Sequence, residues 1–195
     1  EIVPVTVKGR SGETVIAIDE GPGKVKLEKI ATLKPAFKKD GGTITAASSS
    51  SINDGAAALV MMTESHAKKI GAKPLARIVG HATHAQQPEW FSTAPVGAVQ
   101  KLFAKTGWSV KDVDLWEVNE AFAVVPMALM KEMGVAHDIV NVHGGACALG
   151  QPSGASGALC RVTLMNALQS RGQKRGVATL CIGGGEGTAV AIELV

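Results

Sequence analysis

Residues 113–142 read VDLWEVNEAFAVVPMALMKEMGVAHDIVNV. Residues 113–118 are a short apolar run with β-branched and aromatic members, which reads as a strand. Residues 120–133 carry apolar side chains at helical spacing, and residues 139–142 return to a strand-like run. The same alternation extends in both directions: residues 75–80, 177–182 and 188–193 read as strands, and residues 95–106 and 155–170 as helices. Strands alternating with helices predict an α/β architecture, a mixed sheet with helices layered on its faces. A domain boundary is expected near residues 72–74, dividing the chain into 1–73 and 74–195.

The earlier part is less regular. Residues 1–7 and 13–18 flank the turn Lys8-Gly9-Arg10-Ser11-Gly12 and read as a hairpin. Residues 19–26 read as loop, residues 27–37 allow a short helix ended near Pro35, and residues 43–46 look strand-like. Residues 48–51 are four serines, a linker by composition, yet the apolar segments on both sides argue for an ordered run. Residues 55–62 are small and apolar and fit either strand or helix. Residues 63–70 read as a helix with Thr63 as its N-cap and Gly71 just past its end.

Composition narrows the function. Of 195 residues, 46% are hydrophobic and 19% charged, as in a globular protein with a real core. The formal net charge of +3 suits a small anionic ligand. No Lys/Arg run with interleaved aromatics is present, which argues against a nucleic-acid partner. No apolar stretch approaches a membrane span. The three cysteines, Cys147, Cys160 and Cys181, have no metal-ligand spacing, so no metal site is expected and a reducing compartment fits. The start at Glu1, without Met or signal peptide and inside a strand-like run, is expected of a fragment or processed piece.

Three segments could carry chemistry. Asn119-Glu120-Ala121-Phe122 sits at a strand–helix junction, where polar groups can face a cleft or simply begin a helix. Residues 141–157 contain five glycines, so the backbone passes close to a ligand or a neighbouring element. His143 and Cys147 within it could be catalytic, although such residues more often serve packing or turns. Residues 177–187 deliver Cys181 to a strand end, followed by Gly183-Gly184-Gly185. A thiol and free N–H groups would then face one space, suited to sulfur chemistry with an oxyanion site, or to a buried Cys before a hairpin.

In this order and separation the three segments resemble the thiolase family. There an Asn-Glu-Ala-Phe segment, a Gly-Gly-Ala-x-x-x-Gly-His-Pro-x-Gly-x-Ser-Gly segment and a Cys-x-Gly-Gly-Gly-x-Gly segment surround one active site. The similarity covers the whole chain and is greatest with biosynthetic, acetoacetyl-CoA-type thiolases. It implies a thiolase-like fold with the C-terminal domain complete and the N-terminal domain truncated. It also implies ping-pong acyl transfer between coenzyme A esters with no further cofactor, a homo-oligomer, and a cytoplasmic location, with mitochondria and peroxisomes as alternatives. The missing N-terminal half, or a longer parent chain, is the implied partner. Without it the chain is expected to be inactive.

By motif, Cys181 matches the acid–base cysteine and the Gly183 N–H matches part of an oxyanion hole. Asn119 matches the residue that holds an oxyanion-hole water. Ala121 and Phe122 match residues near the acyl end of the substrate, and Ser50 matches a contact to the CoA pantetheine. Two departures stand out: none of the three cysteines matches the nucleophile, and Gln151 occupies the position of the catalytic His. A Gln amide can donate to a thioester oxygen but cannot take a thiol proton near neutral pH. The alternative function is therefore a thiolase-like protein that binds CoA esters without turnover.

Overall fold

A computed structural model describes residues 2–195. Its elements, in chain order, begin with β1 (Val5–Gly9), β2 (Gly12–Ile16), α1 (Glu20–Lys24), α2 (Leu27–Ile30) and α3 (Glu64–Ile70). There follow β3 (Ala76–Ala85), α4 (Ala94–Thr106), β4 (Leu115–Val118), α5 (Val124–Met133), α6 (Ala146–Leu149), α7 (Ser156–Ser170), β5 (Arg175–Ile182) and β6 (Glu186–Leu194). The last four strands form one sheet in the order β3-β6-β5-β4. β4 runs parallel to β5, while β5–β6 and β3–β6 are antiparallel, so the sheet is mixed.

Both faces of the sheet are covered over β4, β5 and β6, because alternate side chains of each strand point opposite ways. Trp116, Val118, Val177, Ala189 and Ala191 pack with Leu102 of α4 and Leu129 of α5 on one face. Leu115, Ala178, Val190 and Ile192 pack with Leu164 and Leu168 of α7 on the other. The β6–α4 contact is close enough that a Cβ at Gly187 would collide with the Ala94 backbone.

Elements formed by local signals appear as expected. Thr63 caps α3 by accepting from His66 N at 3.2 Å, and Gly71 ends it with φ 68°. β1 and β2 pair from Val5↔Ile16 to Gly9↔Gly12 around Arg10 and Ser11, with every residue of both strands exposed. Glu1, placed by sequence in that hairpin, lies outside the described residues.

Several expectations fail. Residues 19–26 contain the short helix α1 rather than loop alone. Residues 43–46 form no strand, because serine hydroxyls bond the local backbone instead. Thr45 N donates to Ser48 Oγ and Ser49 Oγ donates to Thr45 O, making a 3-10 turn at Ala46–Ser48. Residues 55–62 are neither strand nor helix, and Val60 is 90% exposed. Residues 139–142 pair with β4 only through the bridge Trp116↔Val140. There Asn141, at φ 48°, turns the chain.

Gly187→Ala should destabilise the protein by about 1–3 kcal/mol, since the obstructing atoms are backbone and cannot rotate away. An unchanged urea midpoint would show that α4 shifts freely.

Candidate active site

Asn119 follows the last residue of β4, and its N–H donates to Thr179 O of β5 at 3.0 Å. Helix α5 begins only at Val124, not at residue 120 as the periodicity suggests. The reason is that residues 121–123 are engaged elsewhere. Ser50 N donates to Ala121 O at 3.1 Å, and Ala123 N to Ser48 O at 2.9 Å. The four-serine run is thus an ordered strap along the Asn-Glu-Ala-Phe segment.

Glu120, quoted in the motif but assigned no role from sequence, joins two segments. Its carboxylate accepts from Asn141 Nδ2 at 2.9 Å and from Cys147 N at 3.0 Å. The Asn141 amide also accepts from Val118 N at 2.7 Å and donates to Val118 O at 2.9 Å, so a side chain continues the sheet where the backbone turns away. A Cβ at 145 would overlap the Glu120 carboxylate and displace it, so glycine there leaves room for the clamp. Gly150, at φ 91°, packs equally closely on Asn53, and Gln151 N donates to Ser51 O at 2.8 Å. Polar residues inside an apolar run were the available signal for Glu120 and Asn141; their partners were not legible.

These contacts bring two of the expected residues together. Asn119 and Gln151 line one cavity of about 50 Å³ between the end of β4 and α7, with Glu117, His143 and Cys160. Asn119 is 6% exposed, and its Oδ1 has no partner among the described residues. Cys181 is not part of that cavity. It stands on the opposite face of the sheet, half-buried against the α4–α5 core, at the end of the strand beside β4. Gly183 is exposed in the turn that follows, with open space around its Cα.

Ala121 is partly buried against the same core as Cys181. Phe122 meets Phe37 at 5.8 Å and Phe91 at 6.2 Å between ring centroids, an aromatic cluster that sequence did not anticipate. Ser50 Oγ donates to Ala121 O at 3.1 Å, which leaves its lone pairs available to a ligand.

Burial dominates the electrostatics of all three thiols. It pushes Cys181 up to about 11, against a single lowering contact with its own backbone N–H. Burial outweighs that one contact. Cys147 and Cys160 rise to about 12, through burial first and then the carboxylates of Glu120 and Glu117 respectively.

The fold is an α/β one whose polar groups gather at the carboxyl ends of the adjacent parallel strands β4 and β5. Family models say which family it is: that for the thiolase C-terminal domain matches residues 72–194, and that for the thiolase N-terminal domain matches residues 1–65. The chain belongs to the thiolase family. An acetyl-CoA acetyltransferase of Paracoccus denitrificans is 50% identical over 99% of this chain and 49% of its own length. The cytosolic acetyl-CoA acetyltransferase of Mus musculus is 49% identical, again over 99% and 49%. The crystal structure of the Bacillus anthracis acetyl-CoA acetyltransferase superposes with a TM-score of 0.94 at 45% identity, covering 99% of this chain and 49% of that one. A thiolase from Ascaris suum in complex with coenzyme A gives 0.88 at 38%, covering 100% and 49%. The chain therefore spans about half the length of these relatives. No helix among the described residues is long and apolar enough to cross a membrane.

Two predictions follow from the geometry. Glu120→Ala removes a charged acceptor from two donors, each such bond being worth about 1.5–3 kcal/mol. Amide exchange at Cys147 should accelerate selectively, and a rate unchanged from the parent would deny the clamp. The thiols set a pH limit. In the unfolded chain they ionise near the usual ~8.5, whereas the folded chain holds their protons to about 11–12. Between those values the folded state binds more protons, so stability should be full below about pH 8.5 and fall as the pH rises. A urea midpoint as high at pH 10 as at pH 7.5 would contradict this.

Proposed function

We propose that this chain is the C-terminal portion of an acyltransferase of the thiolase class, which condenses acetyl-CoA or cleaves a 3-ketoacyl-CoA through cysteine chemistry. The observation that supports this most directly is the meeting of residues 119–122, 141–152 and 48–53 at the ends of β4 and β5. Cys181 is the penultimate residue of the neighbouring strand. Coenzyme A esters are the substrates in this reading, with no further cofactor and no metal.

Placement and family motif together support each role. The Cys181 sulfur removes the α-proton of the incoming acetyl-CoA; a thiolate whose proton is held this firmly is a strong base once formed. The Gly183 N–H and a water held by Asn119 stabilise the oxygen that becomes negative, and the Gln151 amide adds a donor. Ala121 and Phe122 border the acyl group, and Ser50 meets the pantetheine arm. The nucleophilic cysteine comes from a longer parent chain or a separate polypeptide supplying the N-terminal half. Residues 1–73 are a part of that N-terminal domain, and residues 74–195 are the C-terminal domain. The assembled enzyme is a cytoplasmic homo-oligomer; mitochondria and peroxisomes are the alternatives.

Gln151 supports a second reading, a thiolase-like protein that binds CoA esters without turning them over. The two separate on one experiment. With the N-terminal half supplied, the chain should catalyse exchange of the acetyl-CoA α-protons with solvent, and Cys181→Ala should abolish it. Tight acetyl-CoA binding without any exchange would favour the second reading. Exchange that survives Cys181→Ala would remove that cysteine from the mechanism.

A further inference from the structure

The cavity beside Gln151 contains an imidazole of its own. Among the described residues that line it, His143 is the one histidine and Glu117 the one carboxylate. The two sit differently: Glu117 is 5% exposed on the α7-facing side of β4, whereas His143 is exposed at the cavity's margin. A carboxylate so deeply buried requires hydrogen-bond or ionic partners, and an imidazole on the same small cavity is a chemically suited one. At about 50 Å³ the space holds a few water molecules and no acyl-CoA. The buried Asn119 Oδ1, without a partner among the described residues, presents an acceptor to that water. The arrangement is suited to moving a proton between the cavity's margin and Gln151.

We propose that His143, positioned by the Glu117 carboxylate, is the proton carrier of this cavity and fills the base role that the Gln151 amide cannot. This rests on the thiolase-class reading. The step balances with a cysteine thiol and a CoA thioester as reactants. As the cysteine sulfur bonds to the thioester carbonyl carbon, its proton passes to a His143 ring nitrogen, directly or through one water. When the bond from that carbon to the CoA sulfur breaks, the same proton goes to the departing sulfur, and the imidazole returns to its starting form. Glu117 acts through His143: it fixes the ring and stabilises the transient imidazolium, as carboxylates behind catalytic imidazoles do.

The test uses the chain itself, with diethyl pyrocarbonate as a probe of imidazole reactivity read residue by residue by mass spectrometry. His66, His81 and His137, exposed or outside the cavity, serve as internal controls. Glu117→Gln should lower the high-pH limiting rate of His143 carbethoxylation severalfold, where only the nucleophilicity of the neutral ring counts, and leave the controls alone. An unchanged His143 rate overturns the pairing, whether or not the chain binds acetyl-CoA. Because a buried carboxylate can be needed for folding, Glu117→Asp provides the second variant; it keeps the charge but withdraws it from the ring, and should give an intermediate rate. Saturating acetyl-CoA, its binding followed by calorimetry, should protect His143 selectively. Binding without protection overturns the proposal and leaves the thiolase-class reading standing, whereas no binding counts against that reading. In an enzyme assembled with the N-terminal half, His143→Asn should lower the acylation rate by about 10²–10⁴-fold with acetyl-CoA affinity kept. A rate equal to the parent's overturns it.

Discussion

The Glu120 carboxylate is the joint on which the site depends. It receives the side-chain amide of Asn141 and the main-chain N–H of Cys147, binding the end of β4 to the glycine-rich segment that leads to Gln151. Neither segment is held in place by secondary structure alone. β4 has four residues, and the glycine-rich segment has only the single turn α6. A charged acceptor shared by two donors is stronger than either neutral bond would be, and its partial burial limits the competition from water. The same carboxylate explains Gly145, since any side chain there would displace it.

A second constraint is the balance between close packing and reactivity. The sheet is packed between α4–α5 and α7, with Cys181 against the first layer and Cys160 in the second, while Cys147 lies on α6 beside Glu120. Burial therefore holds all three thiols in the protonated form. For Cys147 and Cys160, beside carboxylates, this is the chemistry of packing residues. For Cys181 it is compatible with acid–base work, in which the neutral thiol is the resting acid and the thiolate appears only when a proton has somewhere to go. Asn119 and Cys181 lie at the carboxyl ends of neighbouring strands, one just past β4 and the other next to last in β5, but face opposite sides of the sheet, so anything acting on both must reach across the strand ends.

What could be read in the sequence was whatever depends on neighbours in the chain. Helical spacing over residues 95–106 located α4 to within a residue, and Thr63 with Gly71 bounded α3, because caps and periodicity are local. Failures fall where a distant group captured the backbone or where none was present. The serine strap held residues 121–123 out of helix, and the Asn141 amide ended the strand expected at 139–142. Residues 55–62, apolar enough for either regular form, took neither.

By itself the sequence determined the family and the inventory of reactive groups, since three motifs in fixed order identify a lineage without reference to contacts. It also determined the mixed α/β character, which follows from alternating periodicities. The tertiary structure alone decided which of those groups share a space. Strand alternation sends Asn119 toward α7, with Gln151, His143 and Glu117, and sends Cys181 to the opposite face. That assignment depends on the pairing of β4 with β5 and on the Glu120 clamp, contacts between residues tens of positions apart. No local pattern in the chain encodes them, because their energy exists only once the layers have closed.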